Sequence, residues 1–137
     1  MGLLRIFIAC VDERLRLALL LFLDHQPGLV VAGMADRLPG LLAQLEGSQP
    51  GVLLLEWKLL GEAKIEELLT KIHSLESRPK IIILADKFEE RETVLAAGAD
   101  YFMCKNSPPD ELLPILNDIR SSNTYQPENN DAQQNTS

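Results

Sequence analysis

The sequence contains few residues that could crosslink the chain. It has two cysteines, Cys10 and Cys104, in 137 residues, so the disulfide framework that holds many small secreted proteins together is not expected. The longest unbroken apolar run, Leu17–Leu23, is far too short to span a bilayer, and the chain opens with no signal-peptide pattern. We therefore expect a protein of the reducing cytoplasm.

Positive charge is scarce as well. The chain has 13 Lys and Arg residues against 20 Asp and Glu residues, which gives a formal net charge of -7 and an isoelectric point near 4.8. Such an acidic chain is poorly matched to nucleic acid or to an anionic membrane surface, and we expect neither as a partner. Its length fits one domain with one sizeable core.

Short apolar runs alternate with helical patterns along most of the chain. Between these runs, leucine and isoleucine recur at the spacing of an amphipathic helix. The runs themselves are predicted strands: Arg5–Ala9, Leu29–Ala35, Val52–Leu55, Ile81–Leu84 and Tyr101–Cys104. A strand followed by a helix, five times over, predicts the α/β class: a five-stranded parallel sheet, doubly wound, with helices on both faces.

The end of the chain carries two further signals. Ser107 is predicted to cap the last helix with Pro108 as its first residue, and Pro114 is expected to kink that helix by removing a backbone hydrogen bond. After Arg120 the composition becomes polar, with Asn, Gln, Ser and Thr dominating. We predict a domain over residues 1–120 and a disordered tail over residues 121–137.

The first predicted helix is apolar on more than one face. One stripe, expected to be buried, consists of Leu15, Ala18, Leu19 and Phe22. A helix that is apolar all round is normally covered all round, so we predict a surface for a protein partner on its other faces. The residues of that surface are Leu17, Leu20 and Leu21, with an extension to Leu23. Cover by neighbouring helices or scattered exposure is the alternative, and a homodimer stays open.

A carboxylate ends the third predicted strand. Glu56 follows the apolar run Val52–Leu55, which reads as a central strand buried on both faces. Open α/β sheets keep their working groups just beyond the carboxyl ends of the strands. The last strand delivers Lys105 to the same edge, and Lys105 is the obvious partner for the Glu56 carboxylate. We predict an ion pair between them.

Four segments, in the order RIFIA, GVLLLEW, KIIILA and AAGADYFMCK, resemble the receiver domain of bacterial response regulators, the CheY-like superfamily. The most specific pieces are Ala97–Asp100 leading into Lys105 and the turn from Leu59 to Gly61. The similarity runs from Leu3 to about Arg120 and is greatest to LuxR- and NarL-type receivers, which a DNA-binding domain normally follows. It implies a flavodoxin-like fold and a role in two-component signalling.

The resemblance also implies a chemistry that can be checked residue by residue. In that family an aspartate at the end of the third strand accepts a phosphoryl group, and two acidic residues after the first strand help to hold Mg²⁺. A hydroxyl after the fourth strand and a lysine after the fifth contact the phosphoryl group, while an aromatic residue shortly before the lysine turns inward. The matching residues here are, in that order, Glu56, Cys10 with Val11, Ala85, Lys105 and Phe102.

Most of these positions are chemically altered. Mg²⁺ requires oxygen ligands, and the side chains of Cys10 and Val11 provide none. Shifting the alignment by two residues would bring Asp12 and Glu13 into place, but it moves other matched positions off register. We keep the unshifted alignment and expect a pseudo-receiver, with no metal, no cofactor and no enzymatic activity.

Two functions remain open on this evidence. The favoured one is a phosphorylation-independent signalling module that binds other proteins, with Glu56 imitating a phosphorylated acceptor and Phe102 turned inward. In a purely structural alternative, the ion pair of Glu56 and Lys105 does no more than neutralise two charges. The alternative is a phosphorelay receiver that accepts a phosphoryl group with Mg²⁺ at an altered site, using Glu56 or Asp12. A second candidate partner surface comprises Tyr101, Met103 and the residues from Asp110 onward.

Overall fold

The chain folds into one parallel sheet covered on both faces by helices. The structure is a computed structural model that describes residues 2–87 and 90–124. Its strands are β1 (Leu4–Ala9), β2 (Leu29–Ala35), β3 (Val52–Glu56), β4 (Lys80–Ala85) and β5 (Tyr101–Cys104). Its helices are α1 (Glu13–Asp24), α2 (Leu41–Ser48), α3 (Ile65–His73), α4 (Arg91–Ala96) and α5 (Leu112–Thr124). Short 3₁₀ turns cover Trp57–Leu60 and Pro109–Glu111.

The strand order is β2-β1-β3-β4-β5, and all neighbouring pairs are parallel. Every residue of β3 is buried, because this strand has neighbours on both sides and helices on both faces. One core cluster joins the sheet to α2, α3 and α4, and the other joins it to α1 and α5. The predicted doubly wound α/β fold is confirmed.

The last helix begins later than its sequence signals indicate. Pro108 is extended, a 3₁₀ turn follows it, and α5 starts at Leu112, so Ser107 does not cap this helix. The reason given for a kink at Pro114, the loss of a backbone hydrogen bond, was also wrong. Pro114 is the third residue of α5, where a backbone N–H has no partner within the helix and its loss removes no helical hydrogen bond.

The described part of the chain reaches beyond the predicted domain end. Helix α5 continues four residues past Arg120, to Thr124. The rest of the predicted tail, residues 125–137, lies outside the described residues. Within the described ranges, no helix has the length and hydropathy of a membrane span.

Candidate functional site

The side chain of Glu56 is enclosed at the carboxyl edge of the sheet. Glu56 is the last residue of β3 and is 0% exposed. Its Oε1 atom accepts hydrogen bonds from the backbone N–H groups of Val11, at 2.8 Å, and Asp12, at 3.1 Å. Both groups belong to the loop between β1 and α1, so the neighbouring strand supplies the donors. One carboxylate oxygen is therefore fully engaged by backbone.

Lys105 binds the other oxygen of the same carboxylate. Its backbone N–H donates to the carbonyl of Ala85 at 2.8 Å, which continues the β4–β5 pairing by one residue. From that position its Nζ atom lies 2.5 Å from Oε2 of Glu56, and only 9% of the lysine side chain is exposed. The ion pair expected from the sequence is present.

Two more carboxylates surround the Lys105 ammonium. Oδ2 of Asp12 lies 3.5 Å from Nζ, and Oδ1 of Asp86 lies 3.7 Å from it. Burial alone would lower the pKa of Lys105, but the hydrogen bond and charge of Glu56, with the charges of Asp86 and Asp12, raise it above the ordinary value of 10.5. The site thus holds its own cation between three acidic side chains.

Asp12 has a structural task in addition to this contact. It is the N-cap of α1, and its Oδ1 atom accepts from the backbone N–H groups of Arg14, at 3.0 Å, and Leu15, at 3.2 Å. The hydrogen bond from Leu15 contributes most to a pKa of Asp12 below its usual range, and Lys105 acts in the same direction. The carboxylate is ionised, and one of its two oxygens, Oδ1, is used to cap the helix.

Cys10 is packed as an apolar residue. It is fully buried, and burial, reinforced by the charge of Glu56, raises the pKa of its thiol to about 12. The thiol is therefore neutral near pH 7 and is not a thiolate ligand. Its backbone carbonyl accepts a hydrogen bond at 2.8 Å from the guanidinium of Arg16, which ties the strand end to α1.

The residues at this edge do not fit a magnesium ion. The acidic-pair positions hold the neutral thiol of Cys10 and the aliphatic side chain of Val11, and neither offers oxygen. The ammonium of Lys105 already occupies the space between the nearest carboxylates, where it would repel a dication. Across residues 2–87 and 90–124, no group of three His, Cys, Asp or Glu side chains is arranged to hold a metal.

Two further positions complete the pocket. Ala85 ends β4 at 1% exposure and carries no hydroxyl. A cavity of about 200 Å³ lies beside it, bounded also by Trp57, Glu56 and Lys105. Phe102 is partly buried and packs against the core cluster that includes α2, α3 and α4. Space beside Ala85 was expected from its small side chain, and the inward-turned Phe102 stays a prediction.

The predicted partner surface on α1 is only partly exposed. Leu17 is 45% exposed and Leu21 is 61% exposed, whereas Leu20 is partly buried against the α1–α5 side of the core. The extension to Leu23 was wrong, because Leu23 is 0% exposed. It lies one helical turn after the buried Leu19 and therefore on the same face of α1.

The second candidate surface also needs correction. Met103 is 7% exposed and belongs to the core cluster beneath α1 and α5, so it is not a surface residue. Tyr101 is partly buried, and its hydroxyl donates to Oδ2 of Asp118 on α5 at 2.5 Å. That hydrogen bond, together with partial burial, raises the pKa of Tyr101 to about 12. Of the residues named for this surface, Asp110 is exposed.

Sequence reasoning missed two parts of the site. One is Asp86, which contacts both Lys105 and, at 3.7 Å, the ammonium of Lys58. Its place directly after a buried strand was a usable signal. The other is the pair of backbone N–H groups at Val11 and Asp12, which no side-chain pattern could reveal.

Comparison with solved structures shows that this fold is the receiver fold. The signal receiver domain of NarL from Mycobacterium tuberculosis superposes with a TM-score of 0.75 at 19% identity, over 88% of this chain and 98% of that one. A two-component response regulator of the LuxR family from Aurantimonas sp. SI85-9A1 gives a TM-score of 0.74 at 20% identity, over 88% of this chain and 87% of that one.

CheY6 of R. sphaeroides, solved in complex with the P1 domain of CheA3, is similar to the same degree. Its TM-score is 0.74 at 20% identity, and the superposition covers 88% of this chain and 99% of that chain. No protein-family model matches the sequence, and no curated protein matches it either. At this level of identity, the likeness establishes the fold of the chain.

Proposed function

We propose that this protein is a receiver-fold signalling module that works without accepting a phosphoryl group and acts by binding other proteins. The observation that carries the proposal is the state of Glu56: it is fully buried, and donors engage both of its carboxylate oxygens. A carboxylate that attacks phosphorus needs an accessible oxygen lone pair. Here Oε1 faces two backbone N–H groups and Oε2 faces the Lys105 ammonium.

The electrostatics of the pocket support the same proposal. Phosphoryl transfer depends on positioning and on cations that neutralise the charge developing on the phosphoryl oxygens. The cation nearest to Glu56 is Lys105, which is already balanced by Glu56, Asp12 and Asp86. That ammonium is therefore less available to neutralise the charge that develops on an incoming phosphoryl group.

Glu56 instead provides a permanent negative charge next to Lys105, where phosphorylation would provide a temporary one. Its carboxylate contacts Lys105, the residue that in the resembled family contacts the phosphoryl group. Phe102 packs against the core, and a cavity of about 200 Å³ lies beside Ala85. We infer that the domain is held in one signalling state and that it signals through the surface that it presents to partners.

A protein is the partner class that fits best. The similar CheY6 is described in complex with a protein domain, the P1 domain of CheA3. This chain adds an exposed pair of leucines on α1 and a net charge of -7, which disfavours nucleic acid. Cys10 and Cys104 are both free thiols, which accords with a reducing, cytoplasmic location.

Mass spectrometry of the intact protein tests the proposal directly. The chain is incubated with a small-molecule phosphodonor and Mg²⁺, beside the Glu56→Gln variant. We expect no gain of a phosphate in either sample. A stable phosphate on the wild-type chain that is absent from Glu56→Gln would overturn the proposal.

The alternative of an altered phosphorelay receiver has one observation in its favour. Asp12 and Asp86 place carboxylates 3.5 and 3.7 Å from the Lys105 ammonium that pairs with Glu56, and carboxylates are the ligand type that Mg²⁺ takes. Lys105→Ala would remove the competing ammonium. Uptake of phosphate by Lys105→Ala but not by the wild-type chain would show that the lysine blocks the reaction. Uptake by the wild-type chain and by Glu56→Gln alike would place the acceptor elsewhere, with Asp12 as the first residue to examine.

A further inference from the structure

The solvent-facing side of α1 carries an ordered arrangement of charge around its exposed leucines. Two rows of residues follow the helix at alternating spacings of four and three, which keeps each row on one line of the surface. The first row, here the acidic row, consists of Glu13, Leu17, Leu20 and Asp24. The second, here the basic row, consists of Arg14, Ala18, Leu21 and His25, the last of which is the C-cap.

Burial places most of both rows on the outer side of α1. Ala18, which was expected in the buried stripe, is exposed, whereas Leu20 is partly buried against the core. Leu19 and Leu23 point into the core, and Leu17 and Leu21 lie on the opposite side of the helix at 45% and 61% exposure. The charged residues at the ends of both rows are exposed as well. The outer face of α1 therefore has an apolar centre, with the acids Glu13 and Asp24 on one border and the base Arg14 on the other.

We propose that this face binds a second copy of the chain, through a two-fold axis parallel to α1. A two-fold axis along the helices exchanges the two borders, so the acidic row of one copy faces the basic row of the other. Glu13 then lies opposite Arg14 of the partner subunit, and Asp24 lies opposite His25 of the partner subunit. Within each row, Leu17 and Leu21 are the residues nearest the line midway between the two rows, so each of them meets its own counterpart at the centre.

The charges exclude the other symmetric arrangement. A two-fold axis perpendicular to the helices would place each row against itself in reverse. Glu13 would then face Asp24 of the partner subunit at both ends of the helix pair, and Arg14 would have no acidic residue opposite it. Like charges across a helix pair disfavour one orientation, as they do at the flanking positions of coiled coils. The pattern on α1 thus selects parallel over antiparallel pairing.

The size of the face sets the strength of the association. One helix face with two exposed leucines is at the small end of specific interfaces, which predicts a reversible, concentration-dependent dimer. This inference goes beyond the proposed function, since it does not depend on the chemistry at Glu56. Failure of the phosphate test would leave it intact, and a monomeric chain would leave the phosphate result intact.

Charge reversal on the full chain tests the proposal by sedimentation velocity over a concentration series. Glu13→Arg should weaken self-association on the order of tenfold, because two symmetric attractions become repulsions. The double variant E13R/R14E should restore it, and an equimolar mixture of the two single variants E13R and R14E should associate better than either alone. Glu66→Arg is the matched control, because Glu66 is also an exposed glutamate in the first turn of a helix, in this case α3.

A cysteine probe reads the orientation independently. Leu17→Cys should form an intermolecular disulfide with itself in the parallel dimer, under oxidation that leaves the wild-type chain uncrosslinked. A wild-type chain that sediments as a monomer at its highest soluble concentration would overturn the proposal. Tighter association of E13R would overturn it too, because only antiparallel pairing rewards that change with an attraction to Asp24.

Discussion

The pocket at Glu56 and the outer face of α1 break the usual rules of burial in opposite ways. In the pocket a carboxylate is completely buried, and each of its oxygens has a donor. On α1 two leucines are exposed, and no element of the described chain covers them. Buried charge is tolerated only when it is paired, whereas exposed apolar surface is available for association.

The contrast separates two kinds of function. The pocket lies at the carboxyl edge of the sheet, where α/β proteins place their reactive groups. Its polar groups bond to one another, so few donors or acceptors are available to bind a substrate. The α1 face offers no reactive group, but burial of its exposed leucines against another surface would be favourable. In this molecule the polar groups of the pocket are paired with one another, and the leucines on the outer face of α1 are exposed.

The largest expected effect comes from unbalancing the closed pocket. Lys105→Met removes the ammonium and leaves Glu56 buried with an unpaired charge, which should lower the free energy of unfolding by about 3–5 kcal/mol. Urea denaturation followed by circular dichroism measures the change. A loss of less than about 1 kcal/mol, the range of an exposed ion pair, would show that the pair contributes as little as a surface one.

Two control variants sharpen this result. The double variant E56Q/K105M should be more stable than K105M, because the glutamine carbonyl still accepts from Val11 and Asp12 without a buried charge. Lys58→Ala removes a lysine that is 63% exposed and lies 3.7 Å from Asp86. It should leave the stability almost unchanged.

The next largest effect comes from two leucines on α1 that differ by two positions. Leu23→Ala should cost about 2–5 kcal/mol of stability, since Leu23 is 0% exposed and its removal opens a cavity. Leu21→Ala, at 61% exposure, should change stability by no more than about 0.5 kcal/mol and should instead weaken self-association. Equal losses in thermal or urea unfolding would contradict the division of α1 into a core face and a partner face.

The sequence predicted the fold well because the buried strands leave little ambiguity. Strands buried on both faces appear as unbroken apolar runs, and the predicted bounds of Leu29–Ala35 and Tyr101–Cys104 coincide with β2 and β5. The start of α5 was missed, because Ser107 and Pro108 carry cap signals that tertiary packing overrides with a 3₁₀ turn. Leu23 was wrongly assigned to the partner surface because α1 is apolar on several faces, so its sequence gives no clear periodicity from which to choose the buried face.

The site was predictable where side chains define it. The pairing of Glu56 with Lys105 follows from parallel strands that end at one edge, and the structure has it. The backbone donors at Val11 and Asp12 depend on the path of a loop, which residue types do not specify. The contact of Asp86 with Lys105 depends on side-chain direction after β4, which a strand pattern also leaves open.

The smallest expected effect is a difference in alkaline stability. The pKa of Lys105 is raised above 10.5 in the folded chain, so the stability from its charge is fully present below the pKa of an unfolded lysine. It is lost as the pH rises through the folded value. Wild-type stability should therefore fall more steeply above about pH 10.5 than that of E56Q/K105M, in which residue 105 does not titrate.

The comparison between these two proteins isolates Lys105. The Cys10 thiol and the Tyr101 hydroxyl also have raised pKa values, of about 12 each, and add to the alkaline loss. The Tyr101 contribution is common to both proteins and cancels in the difference between the two pH profiles. The pKa of Cys10 depends on the charges of Glu56 and Lys105, so both proteins are compared in a Cys10→Ala background, which removes the thiol. Parallel profiles from urea unfolding would mean that the lysine keeps its ordinary pKa in the fold. The pocket would then be open to water, and its contrast with the α1 face would disappear.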